Sequence, residues 1–149
     1  MKGFTLLELL IVIGIIVILI GIAFVAVNPA RQIAKSNNAT RWANVTVIAN
    51  AVAQNMVENG GTWVCTGFPA TTTPHVISST DYNICSCLVP TYLGSLPVDP
   101  QTGTPGSVTD CTVAYDTRYQ IVWSTTTPPY RVTITALDSQ MGETISVTQ

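Results

Sequence analysis

The chain has 149 residues, with six Lys or Arg against eight Asp or Glu, so its formal net charge is -2. Charged residues make up only 9% of the chain, and this weak negative balance provides no basic field for nucleic acid, so nucleic-acid binding is not indicated. The hydrophobic residues, 47% of the total, include one long apolar run at the N-terminus.

The first predicted element is an apolar helix from Phe4 to Val27, in which Glu8 is the one charged residue. Rising about 1.5 Å per residue, the run from Gly3 to Val27 is roughly 37 Å long, which exceeds a hydrocarbon core of about 30 Å. Its many Leu, Ile, Phe and Val residues together outweigh the roughly 2.5 to 3.5 kcal/mol by which one acid opposes insertion. We therefore expect this helix to span a membrane.

Glu8 needs a partner, because an ionised carboxylate at membrane depth is costly. If the chain is cut after Gly3, a new α-amine forms on Phe4, at spacing i to i+4 from Glu8 of the same helix. The Glu8 of a neighbouring subunit is the other partner within reach. Glycine suits the position before the cut, because a protease must hold that stretch extended and close to its own backbone.

The segment from Lys2 to Ile13, KGFTLLELLIVI, resembles the class III signal of type IV pilins and pseudopilins. The resemblance implies cleavage between Gly3 and Phe4 by a membrane aspartyl prepilin peptidase, and N-methylation of Phe4. It also implies that Glu8 of one subunit neutralises the Phe4 amine of another as subunits stack into a filament.

Two other readings of this segment remain open. An ordinary secretory signal has about 7 to 15 apolar residues followed by its cleavage site, whereas this run is longer and its apparent cleavage site precedes it. A plain signal anchor would insert equally well, but anchoring requires neither the Gly3-Phe4 junction nor Glu8.

Pro29 predicts a bend or the start of a second helix, with Asn28 as its cap. Apolar residues then recur at steps of three and four until Asn59, Gly60 and Gly61 end the pattern. This amphipathic stripe, which we expect to be covered by a β-rich head, comprises Ile33, Trp42, Val45, Ile48, Ala49, Val52 and Met56. Trp42 and Val45 are expected in the core.

The C-terminal part predicts three or four antiparallel strands laid across this helix. Tyr130 to Ala136 alternates apolar and polar residues, Tyr119 to Trp123 precedes it across a loop, and Thr144 to Thr148 is a further strand. The predicted fold is α+β and type IV pilin-like, with a long N-terminal helix packed on a small antiparallel head. The expected segments are a leader (1–3), a membrane or filament-core helix (4–28), an amphipathic helix (29–59) and a disulfide-bonded head (60–149).

The four cysteines, Cys65, Cys85, Cys87 and Cys111, predict two disulfides in a small head outside the cytoplasm. Of three possible pairings, Cys85 with Cys87 closes a very short ring and is disfavoured. We favour Cys65 with Cys85 and Cys87 with Cys111. Zinc is the alternative, although the Cys-x-Cys spacing and the single His75 are a poor ligand set.

The segment Leu96-Pro-Val-Asp-Pro100 looks like one found in the head of major pseudopilins, some of which bind calcium in a nearby loop. Asp99, Asp110 and Asp116 are therefore candidate calcium ligands, since Ca²⁺ prefers carboxylate oxygens. A turn formed by Pro and Asp is the reading we favour, and no cofactor is otherwise indicated.

These features indicate a structural subunit, not an enzyme, because His75 lies in a predicted Thr/Pro-rich loop without a nucleophile motif. The resemblance implies a membrane-anchored precursor that interacts with lipid and joins a homo-oligomeric helical filament, a surface fimbrium or a periplasmic pseudopilus of type II secretion. Its implied partners are prepilin peptidase, an assembly ATPase and a platform protein of the inner membrane. The alternative is a minor tip pilin or membrane-anchored binding module that holds a ligand through Trp63, Tyr92 or Trp123.

Overall fold

A computed structural model describes residues 3–67, 72–104, 106–124 and 131–149, without the side chains of residues 26 and 27. The chain divides into two compact units, Met1–Lys35 and Ser36–Gln149. Each unit is described by itself.

The first unit contains helix α1 (Leu6–Val27) and the beginning of helix α2 (Pro29–Glu58). Asn28 separates the two helices, because its backbone is left-handed (φ 44°), a conformation that Asn adopts more readily than most residues. Its Oδ1 accepts a hydrogen bond from the Arg31 backbone N–H at 3.2 Å. Of the two outcomes predicted at Pro29, a bend or the start of a second helix, the structure shows the second, with Asn28 as the cap.

From Asn38 onward, α2 buries one face in the head. The buried residues are Asn38, Arg41, Val45, Ile48, Ala49, Ala51, Val52, Asn55 and Met56. Of the predicted stripe, Ile33 is 59% and Trp42 is 39% exposed, so these two assignments were wrong. The core-facing position is occupied by Arg41, and the adjacent Trp42 instead donates its indole N–H to Glu143 Oε1 at 2.8 Å. The helix ends at Glu58, where Gly60 (φ 64°) provides the left-handed backbone that glycine adopts without strain.

The sheet has four antiparallel strands in the order β1-β2-β3-β4. They are β1 (His75–Ser78), β2 (Asp116–Trp123), β3 (Val132–Ala136) and β4 (Ser146–Thr148), with the short helix α3 (Cys85–Leu88) between β1 and β2. The predicted α+β fold and its meander are confirmed, whereas Tyr130 lies outside the described residues. The assignment of His75 to Ile77 to a loop was wrong, because this stretch pairs with β2, His75 opposite Ile121.

The core lies between α2 and the sheet. On the helix side Ile48 and Val52 are fully buried, and they belong to one apolar cluster with Tyr119, Ile121 and Ile134 of the central strands. In β2, buried and half-buried residues alternate along all eight positions, as expected for a strand with one face on the core. Burial of this face therefore sets the register of the sheet, since a slip by one residue would turn it outward.

Candidate functional site

The N-terminal segment places Phe4 outside the helix. Thr5 is extended (φ -80°, ψ 150°), and its Oγ1 accepts a hydrogen bond from the Glu8 backbone N–H at 3.2 Å. The Thr5 carbonyl accepts from the Leu9 N–H at 3.3 Å, so regular helix begins at Leu6. The helical spacing i to i+4 considered for Phe4 and Glu8 is therefore absent from this structure. Glu8 itself lies in the first turn, where the helix dipole favours a negative charge.

The surface of α1 is apolar and exposed. Among the described residues, Leu6–Val25 is the helix that by length and composition is able to cross a membrane, and none of it is buried within the chain. At Gly14 and Gly21, no atom beyond the backbone of the helix itself lies within 4 Å of the position that a Cβ would occupy, among the residues that the structure describes. So large an exposed apolar surface requires lipid or protein to cover it.

In the head, a buried ion pair joins α2 to the segment that follows Pro97. Arg41 Nε donates to Asp99 Oδ2 at 2.6 Å and Arg41 Nη2 to Asp99 Oδ1 at 3.1 Å, with both side chains fully buried. Arg41 Nη1 also donates to Asn38 Oδ1 at 3.0 Å. This bidentate geometry is the strong form of a charge-assisted hydrogen bond. It also raises the pKa of Arg41.

Asp99 is further held by the turn that it starts. Its Oδ1 accepts the backbone N–H groups of Gln101 at 2.9 Å and Thr102 at 3.1 Å. Burial by itself would raise the pKa of Asp99, but the hydrogen bonds from Arg41, Gln101 and Thr102 outweigh burial and lower it. Gly103 is required here, because a Cβ at this position would lie 2.6 Å from the Asp99 backbone nitrogen.

A second ion pair lies near the first, at a more exposed position. Arg118 Nε donates to Asp138 Oδ2 at 2.9 Å, and Arg118 Nη1 lies 3.9 Å from Asp116 Oδ2. The Thr102 hydroxyl is within hydrogen-bond distance of both Asp99 and Asp138. The two arginines therefore compensate most of the charge of three carboxylates.

The candidate calcium ligands do not converge. Asp99 is buried against Arg41, Asp116 faces Arg118, and Asp110 caps its own turn by accepting the Thr112 backbone N–H at 2.9 Å. In the described part of the chain, no group of three or more His, Cys, Asp or Glu side chains is arranged to hold a metal ion. Asp99 accepts backbone N–H groups in the turn that it starts, as the favoured reading of the Pro- and Asp-containing segment predicted. Asp110 plays the same part in a separate turn.

The cysteines pair as Cys65 with Cys87 and Cys85 with Cys111, each with a Cα–Cα distance of 5.5 Å. The favoured pairing of Cys65 with Cys85 and Cys87 with Cys111 was wrong. Residues two apart on a helix point in nearly opposite directions, so Cys85 and Cys87 reach different partners. Which of the two partners each cysteine reaches is decided by the direction in which α3 faces, and the sequence does not contain that direction. All four cysteines form disulfides, so no thiolate is left to bind zinc, the alternative considered from the sequence. His75 lies on β1 with its Nδ1 2.9 Å from Asp81 Oδ1.

The aromatic residues considered for ligand binding belong mainly to the core. Trp63 and Trp123 are buried with ring centroids 5.7 Å apart, and Trp63 donates its indole N–H to the Tyr82 hydroxyl at 2.6 Å. Tyr92 is half-buried and donates its hydroxyl to Glu58 at 2.7 Å. A binding platform that exposes Trp63 and Trp123 is therefore inconsistent with the structure.

Residues 1–24 match the family described as the prokaryotic N-terminal methylation motif. This segment is the class III signal peptide of type IV pilins and pseudopilins. The resemblance stated from residues 2–13 is thereby confirmed, and the match supports a type IV pilin-like precursor. No curated protein and no solved structure shows a significant match to the chain.

For a type IV pilin-like precursor, the motif implies processing by prepilin peptidase and assembly into a filament. The motif and the apolar helix together fit a membrane-anchored pilin. The motif points to a structural pilin family. Gly3, Phe4 and Glu8 all lie within the matched residues.

Sequence reasoning missed Arg41 and its partner Asn38 in the precursor's head. The signal was present, because Asn38, Arg41 and Val45 continue the three- and four-residue steps of the buried stripe toward the N-terminus. A cation on that face requires a buried acid, which lies 58 residues further along the chain.

The ion pair predicts a strong effect of Arg41→Met. Removing the guanidinium leaves the Asp99 carboxylate buried and unpaired, so we expect the free energy of unfolding to fall by about 3 to 5 kcal/mol at pH 7. The control is Arg31→Met on the exposed part of α2, with an expected change within about 0.5 kcal/mol. Urea unfolding of the detergent-solubilised protein, monitored by tryptophan fluorescence, measures both. Equal effects of the two substitutions would contradict the assignment.

The same variants should differ in their pH dependence. Folding lowers the pKa of Asp99. Its contribution to the free energy of unfolding of the wild type is therefore present above the pKa of the unfolded state, about 3.9, and is lost as the pH falls through the pKa of the folded state. In Arg41→Met, protonation of Asp99 removes a buried unpaired charge and so stabilises the variant. The difference in the free energy of unfolding between wild type and variant should therefore narrow below about pH 4.

The disulfide pairing is testable with single serine substitutions. Cys65→Ser should leave Cys87 as the free thiol, and Cys111→Ser should leave Cys85. Alkylation in denaturant without reductant, followed by tandem mass spectrometry, locates the label on one side or the other of Ser86. The unsubstituted protein, treated identically, should remain unlabelled. A label on Cys85 in Cys65→Ser would support the other pairing.

Proposed function

We propose that this precursor is a structural subunit of a type IV pilus or pseudopilus, polymerised through α1 after cleavage between Gly3 and Phe4 and N-methylation of Phe4. The observation that carries the proposal is the class III signal peptide directly joined to an apolar helix that is left exposed among the residues that the structure describes. In the membrane, lipid covers this helix. In the filament, the equivalent helices of other copies cover it.

Assembly on this scheme requires no catalysis by the subunit. The apolar surface of α1 passes from lipid into an apolar filament core, so the hydrophobic contribution changes little. The Phe4 amine and Glu8 then determine the register, because a misplaced subunit leaves a buried charge unpaired, which costs several kcal/mol. The helix start at Leu6 supports pairing between subunits, since Phe4 lies outside the helix that carries Glu8.

The head supports a location outside the cytoplasm. Its two disulfides persist in oxidising compartments, and a small domain gains stability from such cross-links. The proposed partners are prepilin peptidase for processing, and an assembly ATPase and a platform protein of the inner membrane for extraction. The proposed product is a surface fimbrium or a periplasmic pseudopilus.

Processing is tested at Gly3. In the wild type, co-expressed with a bacterial prepilin peptidase, we expect a mature N-terminus at N-methylated Phe4 by intact-mass and N-terminal peptide analysis. Gly3→Leu adds a side chain where the protease approaches the backbone, so the precursor should remain uncleaved. A membrane-bound Gly3→Leu protein of full length confirms that insertion was unaffected. A wild-type N-terminus other than Phe4 would refute the proposal.

The registry role is tested at Glu8. Glu8→Gln keeps the shape of the side chain and removes its charge, so we expect insertion and cleavage as in wild type but loss of efficient incorporation into filaments. The control is Ile16→Leu, which leaves the charge and the apolar surface intact. Electron microscopy of sheared fibres from cells without the wild-type subunit measures incorporation. Normal filaments made of Glu8→Gln alone would rule out charge pairing.

A further inference from the structure

We propose that Thr5 is a positioning residue for processing: its hydroxyl caps α1 immediately after Phe4 and so keeps the Gly3-Phe4 peptide bond outside the helix. This inference rests on the proposed function, since it concerns the cleavage step. The cleavage itself belongs to the peptidase, and Thr5 determines the conformation in which the scissile bond is presented.

The local geometry places the helix boundary at Thr5. The extended backbone of Thr5 interrupts the helical dihedrals, and its Oγ1 accepts the Glu8 N–H that the first turn would otherwise leave without an acceptor. Gly3 and Phe4 have no regular secondary structure. The bond between them therefore lies one residue before the cap, in a stretch that a protease can bind extended.

The surrounding sequence gives this hydroxyl its importance. Between Phe4 and Val27, Thr5 is the one residue with a side-chain hydroxyl, and apart from Glu8 the remaining residues are apolar or Gly. Backbone N–H groups left without an acceptor at membrane depth are costly. Extension of an uncapped helix toward Gly3 would give the Glu8 N–H the Phe4 carbonyl as its acceptor and would move the free N–H groups upstream, away from the apolar run. The next cap upstream is Gly3, because glycine is tolerated at the N-cap almost as well as threonine.

A shift of the cap from Thr5 to Gly3 changes what the peptidase meets. Phe4 would become the first helical residue, and the scissile bond would join the new cap to the first turn. The enzyme would then have to unwind that turn before it could bind the bond in extended form. Cleavage should slow by the factor that corresponds to the loss of one N-cap, about three- to tenfold.

The decisive comparison is between Thr5→Val and Thr5→Ser in the full-length chain. Valine keeps the β-branched shape and lacks the acceptor, whereas serine keeps the acceptor and lacks the methyl group. Each is co-expressed with a bacterial prepilin peptidase and followed by pulse-chase, with membrane fractions analysed by gel and by mass spectrometry of the N-terminal peptide. Ile13→Val, in the same helix and away from the cap, is the control and should be cleaved at the wild-type rate.

We expect Thr5→Ser to be cleaved at the wild-type rate and Thr5→Val to be cleaved three- to tenfold more slowly, with equal amounts of both in the membrane fraction. Equal rates for Thr5→Val and wild type, or an equally slow Thr5→Ser, would overturn the role of the hydroxyl while leaving the proposed function intact. A wild-type chain that is never cleaved would overturn the proposed function and this inference with it. If Ile13→Val were cleaved as slowly as Thr5→Val, the effect would not be specific to the cap, and that result would also contradict the inference.

Discussion

The apolar surface of Leu6–Val25 imposes the main constraint on this protein, because in the described part of the chain none of it is buried. Such a helix is stable in lipid because its backbone groups form hydrogen bonds within the helix. The N–H groups of its first turn and any charged side chain still need partners. In this chain, both features occur in the first turn. Thr5 accepts the Glu8 backbone N–H, and the Glu8 carboxylate lies at the positive end of the helix dipole.

In the head the situation is reversed: α1 exposes an apolar surface, whereas the α+β head buries a pair of charged side chains. Arg41 and Asp99 are fully buried. Besides bonding to each other, they form hydrogen bonds with Asn38, Gln101 and the backbone N–H of Thr102. Well-packed apolar residues often stabilise a fold as well as a buried ion pair does, but the ion pair requires one relative placement of its two segments. We attribute to it the fixed position of the Asp99 turn on α2. The disulfides from α3 to Cys65 and Cys111 constrain the remaining loops in a similar way.

The two charge pairs, one within the head and one between the proposed subunits, rest on the same physics. A charge removed from water needs an opposite charge in a defined place, and this requirement distinguishes the right partner from the wrong one. For Arg41 the partner is a residue of the same chain. For Glu8 the proposed partner is an amine that does not exist until Gly3 and Phe4 are separated.

The sequence by itself determined those features that depend on neighbouring residues. The signal at residues 1–24 and the start of α2 at Asn28 and Pro29 each follow from local chemistry, as does the alternation that predicts β3. Periodicity likewise identified the buried face of α2 over Val45 to Met56, because helical spacing is a local property.

Only the tertiary structure decided which distant residues meet. Strand β1 follows a Thr/Pro-rich stretch, so its sequence indicated a loop, and it forms through its pairing with β2. Arg41 is buried and Trp42 is exposed because their partners are Asp99 and Glu143, respectively. The choice of cysteine partners depends on the direction in which α3 faces. These contacts join segments that are far apart in the chain. They stabilise the protein only once it has folded, so no pattern of neighbouring residues predicts them.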